Sequence, residues 1–327
     1  MSVPRITIAG AGNIGCFVGG VLAHAGFDVR FLTRLQQVAA LEQHGLRLSD
    51  FAGLDLHLRD VAVTDDAGVA LDGATLVLVS VKSGDTEAMA RLIAAHAPAA
   101  QVISLQNGVA NASTLRTVLT GADVRAATVP FNVVTKAPGH FHRASSGDIL
   151  VEAGPIADLS HAHMAWRSVQ NIEAIQWGKL LLNLGNAVNA LADLPLLEQL
   201  QDRAWRRLLA DQMSEALRIL RAAGITPAKT TSAPPGLIPH ILRLPTPLFR
   251  VIAASMLTID AQARSSMWDD LKQGRKTEVD ALQGAILHLA DRLGRQAPLN
   301  ARMRSLIRAA EAAGEGPPGL SPRDIRG

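Results

Sequence analysis

Ile6-Thr-Ile-Ala-Gly10-Ala-Gly12-Asn-Ile-Gly15 decides how this chain folds. A short apolar run meets three glycines spaced Gly-x-Gly-x-x-Gly, and a helix-forming pattern follows at once. That order is the strand–turn–helix that opens a dinucleotide-binding fold. Gly10 permits the tight turn, Gly12 lets backbone approach a pyrophosphate, and Gly15 lets helix and strand pack closely. Backbone N–H groups of Asn13, Ile14 and Gly15, at the positive end of the helix dipole, then face the phosphates.

The residues that follow select among dinucleotides. A helix over 13–25 gives way to Gly26 and the strand-like Asp28-Val-Arg-Phe-Leu32. Chains that bind NAD place Asp or Glu at the end of this second strand, about 20 residues past the glycines, to bond the ribose 2′-hydroxyl. Here the strand runs into Thr33-Arg34, with no carboxylate. A guanidinium attracts a 2′-phosphate and stacks on adenine, so NADP(H) is preferred over NAD(H). The bland alternative for Arg34 is a solvated surface arginine.

Outward from this motif, residues 1 to about 130 alternate apolar runs with helical patterns, the mark of a doubly wound parallel sheet. Leu76-Val-Leu-Val-Ser-Val81 and Gln101-Val-Ile-Ser-Leu105 read as buried strands, and 124–129 as another. Residues 141–151 alternate around Ser145-Ser-Gly147 and read as an antiparallel hairpin extending the sheet. From 159 onward the pattern is read as helical, with one long amphipathic helix over 204–223 and others over 248–260 and 267–293. The Pro-rich stretch 227–247 interrupts them. The expected fold is α/β: an N-terminal Rossmann-like doubly wound sheet (1–171) followed by an all-helical C-terminal domain (172–327). The Gly- and Pro-rich tail from about 314 is expected to be mobile.

Composition narrows the function. The 327 residues are 48% hydrophobic and 19% charged, as in a globular protein with a large core. Net charge is +3, but aromatics are 3% with no Tyr, and the basic residues form no continuous run. Nucleic-acid binding is therefore not expected; mild basicity suits anionic small molecules. Pro4-Arg5 interrupts the start, no apolar run reaches membrane-spanning length, and Cys16 is the only cysteine. These features fit a reducing cytoplasm and argue against a membrane partner, a disulfide or a thiolate metal centre. Cys16 is read as a small packed side chain. His140-Phe-His142 has the same-face spacing of metal ligands on a strand, yet no acidic or thiolate partners cluster nearby, and no metal is expected.

Two constellations carry candidate chemistry. In Gln176-Trp-Gly-Lys179-Leu-Leu-Leu-Asn183, the i, i+4 spacing puts Lys179 and Asn183 on one helical face. Trp177-Gly178 reads as a helix break, which would set Lys179 near a helix N-terminus, where the dipole lowers the pKa of its ammonium. Such a lysine can protonate a carbonyl oxygen as hydride reaches carbon. Asn186 and Asn189 follow in an otherwise apolar run and need partners, which a polar substrate would supply. The second constellation is Ser265-Ser-Met…Thr277-Glu278-Val-Asp280. Ser266 can bond a carboxylate, and Glu278 can bind a hydroxyl or hold Lys179, although Thr277-Glu278 also reads as charged helix surface. Lys82, just past the strand 76–81, stands at the edge where open α/β sheets bind ligands.

Taken together, Gly10-x-Gly12-x-x-Gly15, Arg34, Lys82, Gln106-Asn107-Gly108, Lys179-x-x-x-Asn183 and the Ser265-Ser-Met…Thr-Glu278-Val-Asp280 segment stand in an order that resembles the 2-dehydropantoate 2-reductases (ketopantoate reductases). The resemblance runs from the first strand to about Arg308. It implies NADPH-dependent reduction of the C2 ketone of 2-dehydropantoate to (R)-pantoate, a step of pantothenate biosynthesis, in a cleft between the domains. By motif it makes Lys179 the general acid and Glu278 its partner and a substrate-hydroxyl ligand. It has Asn107, Asn183 and Ser266 orient substrate and nicotinamide, with Lys82, Asn107 and Arg34 on the cofactor. Three departures stand out: Val109-Ala110-Asn111 where another glycine is common, Ala187 where some members carry a second asparagine, and the long 227–247 segment. Because of the second, either Asn186 or Asn189 is left to reach substrate. Competing readings are a reductase of another 2-oxoacid, a β-hydroxyacid dehydrogenase (whose glycine-rich substrate loop is not found here), and a non-catalytic NADP(H) sensor. The apolar helical half also leaves room for a homodimer.

Overall fold

The computed structural model describes residues 4–258 and 260–327. Two compact units divide the chain, Met1–Ile172 and Glu173–Gly327.

Twelve strands are described in the first unit: β1 (Arg5–Ala9), β2 (Asp28–Leu32), β3 (Leu46–Asp50), β4 (Asp55–Leu58), β5 (Ala62–Thr64), β6 (Leu76–Val79), β7 (Gln101–Ser104), β8 (Val124–Thr128), β9 (Val133–Ala137), β10 (His140–Arg143), β11 (Ile149–Glu152) and β12 (Trp166–Val169). Eight make one sheet in the order β12-β11-β8-β7-β6-β1-β2-β5. From β8 to β5 every pairing is parallel; β11 runs antiparallel to β8, and β12 is parallel to β11. The central strands are apolar on both faces because helices cover both. Ile6, Ile8 and Leu78 meet Phe17 and Val21 of α1 (Asn13–His24) on one side. On the other, Val77, Val79 and Val102 join Ile93 and Leu115 in a separate core. Chain order reverses between β1 and β6, which opens a crevice at the carboxyl ends of these strands. Four further helices complete the unit: α2 (Leu35–His44), α3 (Ala67–Leu71), α4 (Thr86–His96) and α5 (Asn111–Val118).

Two expectations for this unit are corrected. Residues 141–151 do not form one hairpin. β10 pairs with β9 and β3 in a second, four-stranded sheet ordered β4-β3-β10-β9, whereas β11 joins the main sheet. The pattern from 159 is not helical from the outset either, since β12 intervenes before the first helix of the second half. On β10, His140 and His142 both bond the hydroxyl of Ser49, at 2.8 and 2.9 Å. Cys16 is buried with its Sγ 3.2 Å from the Ala11 carbonyl, and burial raises its thiol pKa far above the ordinary value.

The second unit has helices and no strand among its described residues: α6 (Ile172–Asn183, begun on the last residue of the first unit), α7 (Gly185–Ala192), α8 (Leu196–Gln201), α9 (Arg203–Ala222), α10 (Ile238–Arg243), α11 (Thr246–Ile252), α12 (Ser266–Lys272), α13 (Val279–Arg292), α14 (Pro298–Ala313) and α15 (Pro322–Arg326). No described helix is long and apolar enough to cross a membrane. α9 buries Trp205, Leu208, Met213, Ala216 and Ile219, an apolar stripe at helical spacing. Asp202 caps its start by accepting the Ala204 N–H. Prolines lie in the first turns of α10 and α11, where no intrahelical acceptor is needed, so the Pro-rich stretch makes short helices. The ends of α8 and α10 are held by Arg206, which is fully buried and donates to the carbonyls of Leu200, Gln201, Leu242 and Leu244 while lying over the Phe249 ring. These are carbonyls that helix ends leave without a partner.

The tail, read as mobile from its Gly and Pro content, is instead anchored. Leu320 N–H donates to Leu191 O at 2.8 Å, Ser321 and Asp324 form a capping box, Ile325 is fully buried, and Arg326 pairs with Asp211 at 2.5 Å. These few contacts outweigh the loose composition.

Candidate active site

At the carboxyl edge of the main sheet the glycine turn is built as a cradle. The N–H groups of Gly10 and Ala11 both donate to Leu32 O, tying the turn to the end of β2. Gly10 has φ +105°, and a Cβ there would lie 2.6 Å from Val81 N. A methyl at Gly15 would collide with Gly10 O and with Ser80 Oγ, itself bonded to Gly10 O at 2.6 Å. Gly12 is exposed, with open space where a side chain would project. That space, at the N-terminus of α1, fits a pyrophosphate met by the first-turn N–H groups of Asn13, Ile14 and Gly15. The side chain of Asn13 faces elsewhere, donating to Val133 O and accepting from Thr135.

Three other expected cofactor residues share this edge. Arg34 immediately precedes α2, just past β2, with an exposed guanidinium 3.3 Å from Asp85. Lys82 is half-buried and follows β6. Asn107, half-buried after β7, accepts at its carbonyl from Ser83 Oγ and, at 2.6 Å, from Asn111 Nδ2. Sequence reasoning missed what supports them. Gln106 is buried; its amide donates to Val81 O at 3.0 Å and to Thr86 Oγ1 at 2.7 Å, and Thr86 donates to Asn111 Oδ1. This network fixes the loop after β6 against the loop after β7. The one signal for it was a glutamine directly continuing an apolar strand.

In the second unit Lys179 lies two turns into α6, because Trp177-Gly178 continues the helix. The expected break is absent, and with it the effect of a helix N-terminus. Burial is what lowers the Lys179 ammonium, to about 8, while the opposite charge of Glu278 raises it. Gly178 serves packing: a Cβ there would collide with the carbonyl oxygen of Ala228, whose N–H donates to Ala174 O at 2.7 Å. The 227–247 segment therefore begins pressed against the face of α6 that adjoins Lys179. Asn183 ends α6 one turn beyond Lys179 and is half-buried.

Glu278 immediately precedes α13, after a break at 273–278 that divides the single helix expected over 267–293. Its neighbour Asp280 is engaged by Arg304, at 2.6 Å, and by Arg308. Ser266 is the exposed first residue of α12, while Ser265 caps that helix by accepting the Trp268 N–H. Asn189 is withdrawn as a substrate ligand. It is fully buried; its amide donates to Leu194 O and Gln199 Oε1, and its Oδ1 accepts the Ser265 N–H at 2.8 Å. Asn186 is half-buried, with its backbone carbonyl accepting from Ser265 Oγ. The structure thus gathers Gly10–Gly15, Arg34, Lys82 and Asn107 at one sheet edge, and sets Lys179 and Glu278 within electrostatic reach of each other.

Comparison with known proteins agrees with both halves. The family model described as ketopantoate reductase PanE/ApbA matches residues 6–155, and its C-terminal companion matches 171–311. A 2-dehydropantoate 2-reductase of Halobacterium salinarum is 28% identical, covering 95% of this chain and 100% of its own. The crystal structure of a PanE/ApbA family ketopantoate reductase from Ralstonia eutropha JMP134 is 31% identical with a TM-score of 0.80, covering 95% of this chain and 99% of its own. A D-mandelate dehydrogenase solved with NADH and anilino(oxo)acetate reaches a TM-score of 0.79 at 18% identity, over 94% of this chain and 99% of its own, and shares the fold. With family matches running through both units and a 31% identical relative aligned almost end to end, this chain belongs to the PanE/ApbA family of ketopantoate reductases and is an oxidoreductase.

Proposed function

We propose that the chain is an NADPH-dependent 2-dehydropantoate 2-reductase, converting the C2 ketone to the hydroxyl of (R)-pantoate. The observation that carries this reading is Lys179, an ammonium lowered to about 8 by burial, with Glu278 close enough to act on it. A group so tuned holds its proton at neutral pH yet releases it readily, as a general acid must. When bound, the reduced nicotinamide supplies the hydride that reaches C2. Lys179 gives its proton to the carbonyl oxygen, which becomes the C2 hydroxyl. Glu278 keeps the ammonium charged and in place and accepts a hydrogen bond from a substrate hydroxyl. Asn183 and the hydroxyl of Ser266 orient the 2-oxoacid, Ser266 at its carboxylate, and Asn107 orients the nicotinamide. The first turn of α1 receives the pyrophosphate, Lys82 adds a positive charge beside it, and Arg34 meets the 2′-phosphate.

A second reading, a reductase for a different 2-oxoacid, is favoured by the D-mandelate dehydrogenase that shares the fold and by the 227–247 segment packed against Gly178, the residue before Lys179. Following NADPH and NADH oxidation with a panel of 2-oxoacids decides between them. The expected result is the highest kcat/KM with 2-dehydropantoate and NADPH. A larger value with an aryl or branched 2-oxoacid supports the second reading, and no turnover with any member overturns both.

A further inference from the structure

Asp193 ends α7 with φ 52° and ψ 32°, the only non-glycine among the described residues with a positive φ. A side chain is disfavoured in that left-handed conformation, which glycine adopts freely and asparagine tolerates. The Asp193 carboxylate has employment that glycine lacks. Its Oδ1 accepts the Trp268 indole N–H at 2.7 Å and pairs with Arg264 at 3.3 Å, and the Arg264 guanidinium lies 4.4 Å over the Trp268 ring. One turn earlier on α7, Asn189 accepts the Ser265 N–H at 2.8 Å, and Ser265 Oγ donates to Asn186 O at 3.1 Å. Residues 264, 265 and 268 are therefore all fastened to α7. Ser266 lies between these fastenings, its own side chain exposed.

We infer that Asp193 is a positioning residue: with Asn189 it clasps the start of α12 onto α7 and thereby fixes where the Ser266 hydroxyl points. The substrate it serves is the carboxylate of the 2-oxoacid, so the inference rests on the role proposed for Ser266. A left-handed aspartate is tolerated at this point because its carboxylate orients a binding group, as strained backbone at a functional site does. The clasp acts on substrate binding and leaves proton delivery to Lys179 alone.

Three variants test this: Asp193→Gly, Asp193→Asn and Ser266→Ala, each assayed for kcat, for KM of the preferred 2-oxoacid and of NADPH, and for Tm. Asp193→Gly relieves the backbone and removes the Asp193 half of the clasp, so KM for the 2-oxoacid should rise about ten-fold, with kcat and the KM of NADPH unchanged and Tm not lowered. Asparagine keeps both the left-handed turn and an acceptor for Trp268, and should bring that KM back to within about two-fold. If Ser266→Ala raises the KM but Asp193→Gly does not, the positioning role is wrong. If Asp193→Gly lowers Tm and kcat together and asparagine fails to rescue, Asp193 is only structural. Should Ser266→Ala leave the KM untouched, the role of Ser266 fails first, and the inference falls with it.

Discussion

Lys179 shows how one side chain links burial to pH. Its ammonium titrates near 8 in the folded chain, against an ordinary value of 10.5. Below about pH 8 it is charged in both folded and unfolded states, and burying that charge costs on the order of 3 kcal/mol. Between about 8 and 10.5 the unfolded chain still binds the proton that the folded one has lost, so stability should rise with pH across that window. Activity should run the other way, because only the protonated amine can deliver its proton. The expected kcat/KM profile falls above about pH 8, and Glu278→Gln, by removing the charge that raises Lys179, should move the fall to lower pH. A flat profile from pH 7 to 9.5 would remove Lys179 as the acid. Lys179→Met should lower kcat by about 10²- to 10⁴-fold. Lys179 and Asn183 were legible in sequence because i, i+4 spacing is local. The cause of the shift was not: Trp177-Gly178 looked like a break, and the reason for a glycine inside α6 is the carbonyl of Ala228, some fifty residues away.

At the scale of elements, that glycine reverses an ordinary rule. Replacing a mid-helix Gly with Ala normally stabilises a helix by about 1 kcal/mol. In α6 the added methyl meets the backbone of the segment that follows α9, and Gly178→Ala should destabilise by about 1–3 kcal/mol in urea unfolding. A gain in stability would mean that this segment yields without strain. Elements with a strong period were readable: β1, β6 and α9 emerge where their apolar spacing puts them. Pairing was less so. Alternation identifies β10 and β11 as strands but carries nothing about partners, and the two belong to different sheets. The break before Glu278 was hidden because Gly274 lies in a run whose apolar residues still fit one helix. What ends α12 there includes Arg275 turning back to Asp270, and the Thr277 N–H is taken by Glu311 of α14.

For the whole molecule, the last fourteen residues are the part most misjudged from composition. Their glycines and prolines say linker, yet one buried isoleucine and one arginine are enough to hold them. Burying Ile325 alone is worth about 1.5–3 kcal/mol, so a chain ending at Ala313 should melt about 3–10 °C lower. An unchanged Tm by calorimetry would restore the mobile-tail expectation. The glycine cradle, by contrast, could be read directly from its local Gly-x-Gly-x-x-Gly spacing, although Leu32, Ser80 and Val81, which close around it, are distant in sequence. Gln106, Thr86 and Asn111, which support the cofactor edge, come from the loop after β7 and the first residues of α4 and α5, and become visible only when the sheet assembles them. The solitary sulfhydryl has a practical corollary. Sealed inside the first unit with a raised pKa, Cys16 offers alkylating reagents nothing to react with in the native protein. Any surface position exchanged for cysteine thus becomes a unique attachment point, and a single dye placed beside the glycine turn would report nucleotide arriving there.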